Sequence, residues 1–170
     1  LTEMSHQRNL SMLSAGKIDF YVDGDTSGDF LAYSSYEHLV LAQTKLVFCA
    51  GSHSEFAGLP TITPAQINQY PLVVLDSKDT LPSRIFSSVG LKANVVLQTN
   101  QMSVIDSLIK NNLAGVILFE SIVPKKKYFC KIPLIPETKV NIQLVWNKKN
   151  LSKSAASFLH YIKQNLSSKD

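Results

Sequence analysis

Four short stretches of this chain concentrate hydroxyl, amide and imidazole groups. They are Met4-Ser5-His6, Ser52-His53-Ser54, Ser77-Lys78-Asp79-Thr80 and Thr99-Asn100-Gln101-Met102-Ser103. Three precede segments patterned as helices. A helix N-terminus there offers unpaired backbone N–H groups and the positive end of a dipole, which suits an anion. In an open α/β sheet such loops sit beyond the carboxyl ends of the strands, where ligands bind. The candidate ligand-binding residues are therefore Ser5, His6, Ser52, His53, Ser77, Thr80, Thr99, Asn100, Gln101 and Ser103. Ser5, Thr80 and Thr99 also read as ordinary helix caps, a role compatible with donating to a ligand.

Catalytic chemistry finds no footing. The chain has no G-x-S-x-G elbow, no H-E-x-x-H, no G-x-G-x-x-G and no P-loop. Ser52 and Ser54 flank His53, but a triad is defined by geometry that the sequence does not supply. Cys49 lies four residues before His53, and no Cys/His cluster has zinc spacing. No catalytic residue, metal or cofactor is expected. Cys49 and Cys130 are too few for a disulfide scaffold, and are read as free thiols near each other, with a redox switch as the lesser reading. Lys125-Lys126-Lys127 reads as a solvated loop run, and Trp146 as a packing residue.

The elements that must position these loops follow from pattern. The chain has 170 residues, 45% apolar and 18% charged, with a net charge of +4. That excludes a disordered chain, and no apolar run approaches the ~20 residues of a membrane span. A mildly basic balance suits a small anionic ligand and falls short of a nucleic-acid surface. Residues 6–15 read as a helix stopped at Gly16, and Ile18, Phe20 and Val22 alternate as a strand does. Residues 23–29 read as loop. Leu39–Leu41 and Lys45–Ala50 read as two strands with a turn near Gln43-Thr44.

From there the order becomes regular. A short helix opens at Thr63-Pro64, then buried strands at Leu72–Leu75, Asn94–Gln98 and Val116–Phe119 alternate with helices at Leu81–Gly90 and after Thr99-Asn100. In the last of these helices Met102, Ile105, Leu108 and Ile109 recur at helical spacing and read as core. Pro133 and Pro136 keep their stretch irregular or on an edge. Val140–Trp146 alternates as a strand, and a closing helix begins at Ser152 or Ser154. Strand–helix repetition calls for an α/β fold with a parallel sheet.

The order of motifs resembles the effector-binding domain of LysR-type transcriptional regulators. Leu10–Phe20 (LSMLSAGKIDF) resembles the family's helix followed by L-x-x-G-x-(I/L)-D. Leu46–Glu55 (LVFCAGSHSE) resembles its crossover strand and His-containing loop, Asn111–Phe119 (NNLAGVILF) its late strand, and Ile142–Leu166 its return strand and closing helix. The chain departs from the pattern at Ser54 and Glu120, where the family has Pro, and only Gly115 remains of the late strand's glycines. The resemblance implies the type II periplasmic-binding-protein fold: two Rossmann-like lobes joined by two crossing strands, residues 1–45 plus 141–170 and residues 46–140. It also implies that roughly 35–40 residues of the first lobe, its opening strand–helix unit, lie outside this chain. Leu1 is accordingly read as a cut inside a longer gene product, a cleaved signal peptide being the other reading.

In function, the resemblance implies a small anionic metabolite held in the inter-lobe cleft of a cytoplasmic bacterial regulator. The ten candidate residues would line that pocket. Transcription would be reached through a DNA-binding domain that this chain lacks, and pairing with a second copy is expected. An extracellular solute-binding protein of a transporter is the alternative. An enzyme on the same fold comes third: prephenate dehydratases share it, but their Thr-Arg-Phe signature is absent here.

Overall fold

The computed structural model describes residues 6–25, 35–75 and 81–167. The element order is α1 (His6–Ser14), β1 (Phe20–Asp25), β2 (Tyr36–Gly51), β3 (Leu72–Leu75), α2 (Leu81–Ser87), β4 (Val95–Thr99), α3 (Met102–Lys110), β5 (Val116–Phe119), a 3-10 turn (Glu120–Ile122), β6 (Phe129–Pro133), β7 (Lys139–Asn147) and α4 (Lys153–Ser167). The chain divides into two compact units. Unit 1 is residues 1–43 with 140–170, and unit 2 is residues 44–139.

Unit 1 is a three-layer sandwich. Its sheet runs β1-β7-β2, with β1 antiparallel to β7. Tyr21 pairs with Val145, so both point to one face, where Leu10 and Leu13 of α1 cover them. Phe20 pairs with Trp146 and both point to the other face, against Leu159 and Ile162 of α4. Gly16 ends α1 at φ +64°, with the Lys17 N–H reaching back to the Met12 carbonyl at 2.9 Å, the left-handed stop that glycine permits. Ser152 caps α4, its Oγ accepting from the Ala155 N–H at 3.2 Å.

In unit 2 the second half of β2 lies between β5 and β6, antiparallel to both. β3 and β4 are parallel, and a parallel bridge between Leu72 and Gly115 carries β3 alongside β5. Ile105 and Ile109 of α3 cover Val47, Cys49, Val73, Val116 and Leu118. On the opposite face of β2, Phe48 meets Phe56 edge-on at 5.4 Å, and Phe56 meets Tyr70 at 4.9 Å.

Several expectations change. Asp23, Gly24 and Asp25 are strand rather than loop, because each pairs with β7. The two strands expected around Gln43-Thr44 are one strand of 16 residues. Its polar centre is tolerated because the side chains find partners: Gln43 Nε2 donates to Asn141 Oδ1 at 3.3 Å, and Thr44 Oγ1 accepts from the Ser121 N–H at 3.4 Å. Thr63 to Tyr70 form successive turns instead of an α-helix. Thr63 and Gln66 still cap one another reciprocally: the Thr63 N–H donates to Gln66 Oε1 at 2.8 Å, and the Gln66 N–H to Thr63 Oγ1 at 3.3 Å. The pairing is mixed: β5, β3 and β4 run parallel, whereas β2 is antiparallel to β5 and β6, and β1 to β7. The apolar run of β4 predicts a buried strand, yet Val95, Val96 and Leu97 stand 40%, 56% and 39% exposed. It is an edge strand of its sheet, and an apolar run alone does not reveal what covers a strand.

Gly115 has no room for a side chain, since a Cβ there would overlap the Phe48 ring and come within 3.2 Å of the Cys49 carbonyl oxygen. Gly115→Ala is expected to cost about 1–3 kcal/mol in urea unfolding. Adding Phe48→Leu, which shortens the obstructing group, should make the pair less destabilised than the sum of the two single changes.

Candidate functional site

Strand polarity sorts the candidate residues. β3, β4 and β5 are parallel, so their carboxyl ends share one end of unit 2. β2 runs against β5, with Leu46 opposite Phe119 and Cys49 opposite Val116. Leu46 therefore lies at the carboxyl end and Gly51 at the other. The chain also enters and leaves the unit at the carboxyl end, since the Leu46 N–H donates to the Thr138 carbonyl at 3.0 Å.

Thr99, Asn100, Gln101 and Ser103 gather at the carboxyl end. Thr99 closes β4 and α3 starts at Met102. The sequence predicts Thr99 and Asn100 as the caps of this helix. Gln101 occupies the cap position instead, with no side-chain cap bond, and Thr99 Oγ1 accepts from the Gln101 N–H at 3.1 Å. Among the described residues, the first turn of α3 thus has no side-chain cap for its outward N–H groups. Asn100, Gln101 and Ser103 are exposed and Thr99 is half-buried. Such a turn can receive an anion through backbone N–H groups, the Ser103 hydroxyl and neighbouring amides.

Ser52 and His53 do not join them. They follow Gly51 at the opposite end, and the Ser52 N–H is tied to the Tyr128 carbonyl at 2.9 Å. Four or five strand residues separate the two ends, about 15 Å. One small ligand cannot touch both, and the structure does not bring Ser52 and His53 together with Thr99. Ser5, Ser77 and Thr80 lie outside the described residues. His6 opens α1 in unit 1, and its side chain is likewise outside what is described.

Two charged clusters had no signal in the sequence, because each joins residues far apart in the chain. In one, the Asp106 carboxylate accepts from Lys126 Nζ at 2.7 Å and from the Tyr128 hydroxyl at 2.9 and 2.8 Å, and the ammonium of Lys126 lies over the Tyr128 ring. The Lys126 hydrogen bond, with that of Tyr128, holds the Asp106 carboxyl below its usual range. The middle lysine of the 125–127 run is therefore engaged within the unit. In the other, Glu120 accepts from Lys131 at 2.7 Å with Lys45 nearby, and Lys131 lowers its carboxyl in the same way. Among the described residues, no group of three His, Cys, Asp or Glu side chains could hold a metal ion, and no helix is long and apolar enough to cross a membrane.

The cysteines sit on neighbouring strands but cannot pair. Cys49 is opposite Lys131 and Cys130 is opposite Ala50. Successive residues of a strand point to opposite faces, so the two thiols are on opposite sides of the sheet. Both are free. Burial pushes the Cys49 thiol up to about 12, with Cys130 adding to the shift. At pH 8 a thiol-disulfide reagent should label Cys130 first and leave Cys49 untouched until the chain is unfolded. Rapid release of two equivalents from the native chain would overturn this assignment.

The model of the family described as LysR substrate binding domain matches residues 1–167. Three solved structures resemble the chain. The C-terminal domain of a probable LysR family transcriptional regulator from Rhodococcus sp. RHA1 has a TM-score of 0.79 at 17% identity, covering 95% of this chain and 82% of that one. HinK, a LysR family transcriptional regulator from Pseudomonas aeruginosa, has a TM-score of 0.76 at 15% identity, covering 97% of this chain and 59% of its own. The regulatory domain of CcmR from Synechocystis PCC6803, in complex with 2-PG, has a TM-score of 0.75 at 14% identity, covering 93% and 78%. The chain therefore spans most of an isolated regulatory domain and little more than half of HinK. No curated protein matches it in sequence.

Proposed function

Because the chain belongs to the LysR substrate binding domain family, in which it is a ligand-sensing regulatory domain, we infer that its ligand is a small organic anion received at the carboxyl end of unit 2. The observation that supports this reading is the start of α3, where an N-terminus that Gln101 does not cap with its side chain meets Thr99, Asn100, Gln101 and Ser103 at the ends of parallel strands. The positive end of the helix favours a carboxylate or phosphate, and the hydroxyl and amide groups give it orientation. The related CcmR domain holds 2-PG.

The chain acts by binding and performs no catalysis in this reading. Its ligand would favour one arrangement of the domain over another, and differential affinity shifts the balance between them. Transcription would be controlled through a separate DNA-binding domain, in the cytoplasm, by a protein that pairs with a second copy.

A thermal-shift panel of small mono- and dicarboxylates and phosphate monoesters should find a stabilising compound, whose Kd is then measured by calorimetry. Ser103→Ala and Thr99→Val are expected to weaken that compound about tenfold, the loss of one charge-assisted hydrogen bond each. Their Tm should stay within about 2 °C of the parent. His53→Ala, at the opposite end, should leave Kd unchanged. Equal weakening by His53→Ala, or no effect of Ser103→Ala and Thr99→Val, would overturn the placement.

A further inference from the structure

The chain enters unit 2 at Thr44 and leaves it at Lys139. Charged side chains cluster where the two connecting segments run side by side. Lys45 Nζ lies 3.6 Å from Glu137 Oε2 on the outgoing segment and 3.9 Å from Glu120 Oε2 at the end of β5. The other oxygen of Glu120 accepts from Lys131 Nζ of β6 at 2.7 Å. The neighbouring backbone is tied too: the Leu46 N–H donates to the Thr138 carbonyl at 3.0 Å, and the Ser121 N–H to Thr44 Oγ1 at 3.4 Å. Two cations and two anions thus link β5, β6 and both connecting segments.

We propose that Lys45, Glu120, Lys131 and Glu137 form a salt-sensitive clamp, centred on Glu120, that holds the incoming and outgoing segments in one setting. An isolated exposed ion pair contributes little. Glu120 differs because it is shared. Without its charge, both of its contacts vanish together, and Lys45 keeps only Glu137 within the cluster. The side chains are about one-third to one-half exposed, so dissolved salt reaches and screens them. The clamp is a property of the connection itself and stands or falls independently of ligand binding.

Amide hydrogen exchange measured by NMR on the 170-residue chain tests this without a ligand. In Glu120→Gln the Leu46 and Ser121 amides should exchange roughly three to ten times faster, a local opening, while Phe48 and Ile117 in the ladder keep their rates. Lys45→Gln, which removes the contacts to both glutamates, should act in the same direction. Raising NaCl from about 0.05 to about 0.5 M should speed Leu46 exchange more in the native chain than in Glu120→Gln, which keeps the Lys45–Glu137 pair. Unchanged Leu46 and Ser121 rates in both variants would overturn the proposal. So would an equal rise at Phe48 and Ile117, which would mean general loosening, or a salt effect of the same size with and without the Glu120 charge.

Discussion

The pairing of β2 governs the rest of the structure. From Leu46 to Gly51 every residue of this strand is buried, and it is hydrogen-bonded on both sides, to β5 and to β6. A strand in that position must satisfy each backbone group through its neighbours, so its register is set tightly. The register then fixes the two faces. Val47 and Cys49 go under α3, and Phe48 goes into the aromatic cluster with Phe56 and Tyr70. The demand that Gly115 have no side chain follows from the same ring. The first half of β2 belongs to unit 1, beside β7, so one strand contributes to the core of both units.

Polarity follows from this strand as well. Because β2 runs against β5, the residues before it and after it lie at opposite ends of unit 2. The end where the chain enters is the end where β4 closes and α3 begins. The candidate ligand-binding groups and the Glu120-centred charges thus share an end with the two connecting segments. That proximity is what a sensing domain requires, because a ligand can bias only an element to which its own contacts reach.

The sequence made the major elements legible where a local signal exists. α1 with its Gly16 stop, α3 with Ile105 and Ile109 inward, and the strand β7 all follow from spacing and cap chemistry. It misled where the deciding partner is distant. Asp23–Asp25 has loop composition but takes its conformation from β7. Gln43 and Thr44 look like a turn, yet Asn141 and the Ser121 N–H give them partners within a continuous strand. The candidate site shows the same division. Thr99 to Ser103 could be found from the strand-to-helix change alone. His53 carried equal chemical promise, and only the direction of β2 separates it from them. Asp106 with Lys126 and Tyr128 could not be found at all, since they lie 20 and 22 positions apart in the chain.

The opposed faces of Cys49 and Cys130 have a consequence for how this chain can go wrong. Were β6 to slip by a single residue along β2, Cys130 would come directly opposite Cys49, and both sulfurs would point the same way. Oxidation would then seal the slipped pairing covalently. The native chain offers no such bond, so an intramolecular crosslink formed during refolding in air would identify molecules whose sheet had closed one step out of place.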